Sequence, residues 1–362
     1  MTDLLEKTSG AGPDVEKLQA LAGKVMGDLA GAMGVLMGYI GDQTGVYRTM
    51  ADGEGRDAEE IADLAKVDAR YLTEWLSANA ALGYVLYDAA TGMFSMTPEQ
   101  VALFASEGAE TDLQGFFQST VGQYMTHAES IDVFRSGAGL PWSSQHACMI
   151  CGTDRVFRPG YEANLISSWI PALDGIEEIL ERGGDVADIG CGEGSSAMLL
   201  AQRFPRSAIH GFDIHAPSIE RARERGREAG MTNLTFNTAA ADTIPAWNGY
   251  DLVCMFDALH DMGDPVGAAR HACSILRSGG SLMLVEPRAG DDLSDNLHPL
   301  GAIFYSASTL ACLPNSKSQP VAACLGAQAG PARLTRVLND AGFTSVRIAA
   351  ETDTNLVIEA RA

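Results

Sequence analysis

DVADIGCGEGSS, Asp185 to Ser196, is an apolar run that breaks into a glycine-rich turn. Val186, Ala187 and Ile189 have the composition of a buried strand, and Gly190, Gly192 and Gly194 stand at alternate positions of the turn behind it. Glycines so placed let a ligand approach the backbone where a Cβ would intrude, and a helix beginning near Ser195 offers free N–H groups. The turn is therefore expected to bind something. A dinucleotide fingerprint is G-x-G-x-x-G, with the pyrophosphate resting on the helix N-terminus, whereas Gly194 falls one residue early. Asp188 at the strand end and Glu193 inside the turn would repel a pyrophosphate and suit a ligand carrying an ammonium or sulfonium group.

Downstream, strand patterns alternate with helical ones. Strands are expected at 186–189, 208–213, 234–237, 252–256 and 281–286, with helices over 195–203, 216–229, 266–275 and 332–341. A further helix is expected over 165–180, just before the first strand. The last residues, SVRIAAETDTNLVIEARA, read as two strands around a turn at Asp353 to Asn355. Crossover helices between strands mean a mostly parallel, doubly wound sheet: an α/β, Rossmann-like fold of seven strands with an antiparallel terminal hairpin. Ligands of such sheets sit at the carboxyl ends of the strands. Those ends carry Asp188 with the glycine turn, Asp213 in GFDI, Asp242 in AAADTIP, and FDALHD. Asp213 is placed to accept two ribose hydroxyls and Asp242 to accept an adenine amino group. Each piece is common; their order and spacing together are not.

Upstream, apolar residues recur at helical spacing from Pro13 to about Ile40, interrupted by Gly31, Gly34 and Gly38. Glycine lowers helix propensity unless another backbone packs close, so this helix is expected to pair with a neighbour or a second subunit. Asp57 and Asp68 can cap two further helices, to about Ala65 and Leu82, and 84–87 can pair with 93–96 as a hairpin. That is the outline of a winged helix. Residues 51–76 carry eight acids against Arg56, Lys66 and Arg70, which argues for a dimerisation module rather than a reader of DNA. Residues 1–100 are expected to form this domain, 101–160 a helical connector or lid, and 161–362 the α/β domain.

The whole chain is acidic, with a net charge of −22 over 362 residues, which disfavours nucleic acid and anionic membrane as partners. A mean hydropathy of +0.01, no uninterrupted apolar run of membrane length and no basic-then-apolar opening lead to the expectation of a cytoplasmic protein. Seven cysteines spread through apparent core segments fit reduced thiols.

At this point the sequence resembles the class I S-adenosylmethionine-dependent methyltransferases, through VADIGCGEGSS, GFDI, AAADTIP and LRSGGSLMLVEP over residues 160–362. With its winged-helix N-terminus it is similar in plan to bacterial and mycobacterial small-molecule methyltransferases and to plant O-methyltransferases, which dimerise through that domain. The resemblance implies S-adenosylmethionine as cofactor. It places Asp188, Gly190, Cys191 and Gly192 along the methionine moiety, Asp213 and Ile214 at the ribose, Ala241, Asp242 and Thr243 at the adenine, Phe256 beside the sulfonium, and Tyr161 as a closing residue. ALHDMGDP resembles the HDWxD stretch of the plant enzymes, in which the histidine is a general base. His260 would be that base and Asp261 a catalytic or cap residue beside it, although Met262 stands where the plant family has tryptophan.

The insertion Arg288–Gly330 lies over the strand ends in such a fold. Phe304, Tyr305 and Cys312 are expected to line an acceptor pocket, with Phe117 and Tyr124 from the connector. HACMIC, residues 146–151, holds a C-x-x-C, but a zinc site needs further ligands and no metal centre is expected. The expected activity is methyl transfer to a hydroxyl of a small molecule. A thiol or arsenical acceptor clamped by Cys148, Cys151 and Cys312 is one alternative, and a winged-helix regulator that senses S-adenosylmethionine is another. A nicotinamide oxidoreductase is disfavoured by the glycine spacing.

Overall fold

The computed structural model describes residues 12–362. The opening residues, on which the expectation about an export signal rests, lie outside the described residues. The described residues divide into two units, 12–107 with 111–117, and 108–110 with 118–362.

The first unit begins with a helix, Val15–Thr44, opened by Asp14, whose carboxylate accepts from the N–H groups of Glu16 and Lys17. Gly45, at φ +74°, ends it in the left-handed conformation that favours glycine. The winged-helix pattern follows. Asp57 and Glu60 form a capping box that starts helix Ala58–Ala65, and Asp68 caps helix Ala69–Leu82. Strands β1 (Leu86–Asp88) and β2 (Met93–Ser95) pair antiparallel as the wing. Tyr47, Trp75, Leu76 and Phe104 form its core, where Tyr47 donates to Asn79 at 2.6 Å.

The glycines of the long helix behave differently along its length. A Cβ on Gly41 would meet the rings of Trp75 and Tyr47 at 2.4 Å, and one on Gly38 the ring of Phe117 at 2.6 Å. Gly23, Gly27 and Gly31 have nothing within 4 Å. Val15, Leu18, Leu21, Val25, Leu29 and Met33 are all exposed on this half of the helix. By length and composition the helix could also cross a membrane, with a mean hydropathy of 1.3 over an 18-residue window only 6% buried. Lys24, Asp28 and the glycines break the apolar run, so this helix carries no unbroken apolar stretch of membrane length.

The second unit is built on a seven-stranded sheet of β3 (Asp185–Ile189), β4 (Ala208–Asp213), β5 (Leu234–Thr238), β6 (Tyr250–Phe256), β7 (Leu276–Pro287), β8 (Ser345–Glu351) and β9 (Asn355–Arg361), in the order β5-β4-β3-β6-β7-β9-β8. The first five are parallel, and β9 runs antiparallel between β7 and β8. Alternation along the strands feeds both faces: Leu252, Cys254 and Phe256 enter one apolar layer, Val253 and Met255 the other. Burial on both faces is why these segments read as continuous apolar runs.

One expectation fails. No single helix spans 165–180: Leu165–Trp169 is a π-helical turn that ends a longer helix, Ala147–Asn164, which contains Pro159, and a separate short helix, Ile176–Arg182, precedes β3. Gly175, at φ +73°, marks the break that periodicity alone did not show.

Gly194 holds the helix Ser195–Arg203 against β4 and β5. It sits at φ +84°, and an added Cβ would meet the Phe236 ring at 2.4 Å. Gly194→Ala is expected to cost about 2–4 kcal/mol, from left-handed strain and overpacking together. Urea denaturation checks this, and a loss under about 0.5 kcal/mol would contradict the packing assigned to the turn.

Candidate active site

Strand order puts β3 between β4 and β6, so the carboxyl ends of all three meet at one edge. The turn after β3 is tied to β4 by its own backbone: the N–H groups of Gly190 and Cys191 both donate to the Phe212 carbonyl, at 2.8 and 3.1 Å. Gly190 (φ +76°) and Gly192 (φ +53°) take the conformations that favour glycine, and the space around Gly192 is open.

Asp188 is fully buried at the end of β3. Ser196 donates to its Oδ2 at 2.5 Å, while its Oδ1 accepts no hydrogen bond. Burial raises its pKa to about 7, with Asp213 adding to the effect. Asp213 ends β4 and accepts from the N–H of Gly192 at 2.9 Å and of His215 at 2.7 Å. Burial raises its pKa as well. Cys191 is buried beneath the turn and Ile214 is exposed beyond it. After β5, Ala241 is half-buried and Asp242 and Thr243 are exposed; the Thr243 hydroxyl is turned back onto the Ala240 carbonyl.

One part of the charge argument changes. Glu193 is paired with Arg221 at 2.7 Å, so it presents no free charge to a ligand, and the acidity of the turn rests on Asp188. Arg225 lies beside it, donating to the Glu193 carbonyl and to Ser195.

The end of β6 forms a denser polar cluster. Asp257, at φ +48°, accepts from the Tyr161 hydroxyl at 2.7 Å and from Asn355 at 3.0 Å. Burial raises its pKa to about 8, and Glu286 adds to the shift. Tyr161 packs on Phe256, with ring centroids 5.2 Å apart. His260 is buried on the short turn Leu259–Asp261, its Nδ1 2.5 Å from Oε2 of Glu286 and its backbone N–H donating to Oε1. Burial pulls the His260 pKa down, but Glu286, Asp261 and Cys312 push harder, leaving it well above the ordinary histidine range. Glu286, Asp257, Asn355 and Ser196 were not singled out from sequence. A carboxylate inside the apolar run SLMLVEP was the available signal for Glu286.

The other expected residues fall in different places. Cys312 is buried next to His260 and Asp261, on a π-helical turn, Ser308–Cys312. Phe304 is buried in the preceding helix, and Asn296 donates to the Tyr305 hydroxyl at 3.4 Å. Phe117 belongs to the first unit, stacked near Phe104 at 6.1 Å. Tyr124 is exposed in the second. His146 caps helix Ala147–Asn164, accepting from the Cys148 N–H at 3.2 Å, while Cys148 and Cys151 are half-buried cysteines, outside any disulfide, on its first turns. Cys312 thus gathers with His260 and Asp261, and no group of three ligand side chains forms around Cys148 and Cys151 among the described residues.

Residues 180–342 match the family described as a methyltransferase domain, and residues 31–106 match an Rv2258c-like winged HTH domain. The two matches put a segment similar to a methyltransferase domain C-terminal to a segment similar to an Rv2258c-like winged HTH domain. It is 34% identical over 113 residues to aklanonic acid methyltransferase DauC of Streptomyces sp. (strain C5), which covers 30% of this chain and 51% of that one. It is 29% identical over 130 residues to dimethylglycine N-methyltransferase of Parasynechococcus marenigrum, covering 35% and 46%. The chain spans about half the length of these relatives. In three dimensions it is similar to PigF with SAH, at a TM-score of 0.71 and 16% identity over 93% of this chain and 98% of that one. Human N-acetylserotonin methyltransferase in complex with SAM gives 0.69 and 16% over 98% and 99%.

A carboxyl with a raised folded-state pKa stabilises the fold fully below its unfolded value, and that contribution is lost as pH rises through the folded value. For Asp257 the window runs from 3.8 to about 8. Asp188 contributes over a similar one. Asp257→Asn, which keeps an oxygen for Tyr161, is expected to flatten the fall in stability between about pH 5 and pH 8. Urea denaturation across that range checks it, and an unchanged slope would mean that Asp257 is ionised throughout.

Proposed function

We propose that the protein is an S-adenosylmethionine-dependent methyltransferase that methylates a hydroxyl oxygen of a small molecule. The observation that carries the cofactor is Asp188 Oδ1, a fully buried carboxylate oxygen with no partner beside an open glycine turn. A buried acceptor left unpaired costs about 1–3 kcal/mol, which a cationic ammonium donor would recover. The residues present fit the cofactor. Gly190, Cys191 and Gly192 offer backbone to the methionine moiety, Asp213 keeps lone pairs for ribose hydroxyls, and Ala241, Asp242 and Thr243 with the exposed Ile214 would flank the adenine. Phe256 and Tyr161 would wall the sulfonium.

When bound, S-adenosylmethionine supplies a methyl group on a positively charged sulfur. The protein's part is to align the acceptor in line with that carbon, exclude water and remove the acceptor proton. His260 is placed for the last duty. Glu286 fixes Nδ1 and leaves Nε2 to face the acceptor, with Asp261 alongside. Because the surrounding carboxylates favour the imidazolium, His260 must first lose a proton, and turnover is expected to rise with pH above neutrality. Phe304, Tyr305 and Cys312 are proposed to line the acceptor side, with Tyr124 as a further contributor.

The protein is further proposed to form a homodimer through the exposed stripe Val15 to Met33 of the long helix, and to act in the cytoplasm without nucleic acid. A covered stripe accounts for seven large apolar side chains that otherwise face water: Val15, Leu18, Leu21, Val25, Met26, Leu29 and Met33. Light scattering of the purified chain is expected to give twice the monomer mass, falling to one in Leu21→Glu/Leu29→Glu.

Calorimetric titration with S-adenosylmethionine tests the cofactor. Binding is expected for the wild type, lost in Asp213→Ala and retained in His260→Ala, which slows turnover on a responsive phenol by about 10²-fold or more. The titration is also expected to release a proton near neutral pH, since a cation beside Asp188 draws its pKa down from about 7. Affinity should then rise between pH 6 and 8. Equal heats in buffers of different ionisation enthalpy would remove Asp188 from the cofactor site, and unchanged turnover in His260→Ala would remove the base.

A further inference from the structure

Three metal-competent side chains converge at the end of β6. Nε2 of His260 and Oδ1 of Asp261 are 3.4 Å apart, and Sγ of Cys312 completes a triangle whose ligand atoms all lie within 4.8 Å of one another. His260 and Cys312 are buried, and Asp261 is largely so. In a tetrahedral site with bonds of about 2.1 Å, nitrogen and oxygen ligands stand about 3.4 Å apart, which this pair already matches. Cys312 would close by no more than about 1.3 Å to reach the sulfur position.

Two further observations favour a cation over plain packing. Oδ1 of Asp261 is buried and accepts no hydrogen bond of normal geometry; its nearest cationic group is Nε2 of His260, 3.4 Å away. The far nitrogen of His260 is held by Glu286, the carboxylate–histidine arrangement that orients a ligating imidazole and raises its basicity. Cys312 sits on a π-helical turn that interrupts the run from Pro299 to Lys317, a distortion common at functional sites.

We propose that His260, Asp261 and Cys312 bind a soft divalent cation of the Zn²⁺ class, with Glu286 as the outer support. The donor set decides the class. A thiolate with an imidazole selects zinc-like ions, whereas magnesium and calcium demand oxygens. Binding displaces the thiol proton of Cys312 and the Nε2 proton of His260 to solvent and leaves one coordination position open. Nε2 cannot hold a metal and accept a proton at once, so the loaded chain has no base at this position and metal occupancy opposes methyl transfer. Only this last consequence rests on the function proposed above.

The test uses the full chain after treatment with a chelator. Co²⁺ is titrated while thiolate-to-cobalt charge-transfer absorption is followed, and Zn²⁺ is then added in competition. One equivalent with a thiolate band is expected, displaced by Zn²⁺. The band should vanish in Cys312→Ser and persist in Cys148→Ser/Cys151→Ser. Glu286→Gln is expected to keep the band and weaken affinity by about 10–100-fold. No band in the wild type, or an undiminished band in Cys312→Ser, overturns the proposal. Circular dichroism and thermal melting of Cys312→Ser separate loss of a ligand from loss of the fold; if that variant unfolds, Asp261→Asn carries the test, with at least a tenfold weaker affinity expected and unchanged affinity counting against the site. Metal binding needs neither acceptor nor cofactor. Its failure is therefore read independently of the Asp213-dependent titration.

Discussion

The Phe212 carbonyl accepts two hydrogen bonds from the turn that follows β3, and the rest of the site depends on that double contact. It pins Gly190 and Cys191 to the end of β4, so that the N–H of Gly192 reaches Asp213 and the two neighbouring strand ends act as one rigid surface. The geometry tolerates no Cβ at Gly190, where one would meet Ala258 from the far side of β6 at 2.7 Å. The turn is thus fixed to the end of β4 by two backbone bonds and by the Asp213 carboxylate.

The consequence is an edge crowded with carboxyl groups. Asp188, Asp213, Asp257, Asp261 and Glu286 all lie at or near the ends of β3, β4, β6 and β7, and four of the five have pKa values raised first by burial. Among the described residues few bases compensate them: Arg221 and Arg225 serve the outer side of the glycine turn, His215 lies beside Asp213, and His260 sits among Asp257, Asp261 and Glu286. Such a site carries a standing electrostatic penalty that protonation relieves in the free protein and that a bound cation relieves better. Ammonium, sulfonium and a divalent metal are different ligands, but the same imbalance favours each. The selection between them is positional, with Asp188 serving the glycine turn and Asp261 serving the histidine.

Much of this arrangement was legible because local signals and global fold agree. Apolar runs bounded by glycine and aspartate mark the parallel strands to within two residues except at the start of β7, which begins at Leu276 rather than 281, and Asp57 and Asp68 mark their helices, since caps act within a single turn of chain. What was hidden depends on contacts distant in sequence. Glu193 reads as a free acid until Arg221, on the next crossover helix, is seen to neutralise it. Cys312 reads as one core thiol among seven until the fold carries it to His260, and HACMIC, the stronger local pattern, turns out to spend its histidine on a helix cap. Spacing identifies a site when the ligands share one element. It fails when they arrive from two.

The long N-terminal helix shows the same limit from the opposite direction. Its glycines recur along one face from Gly23 to Gly41, and sequence alone assigns them a common purpose. Their environments separate them: Gly34, Gly38 and Gly41 admit the side chains of Tyr84, Phe117, Trp75 and Tyr47, whereas Gly23, Gly27 and Gly31 face open space. A glycine inside a helix costs about 1 kcal/mol relative to alanine unless close packing repays it. For the C-terminal three, repayment is visible within the unit. For the other three it is not. At the helical repeat of about 3.6 residues per turn, Gly23, Gly27 and Gly31 stand on the face opposite Leu18, Leu21, Val25 and Leu29, so a surface that covered the apolar stripe would not approach the glycines. The exposed stripe and the open glycines therefore call for separate explanations, and only the stripe argues for a covering partner.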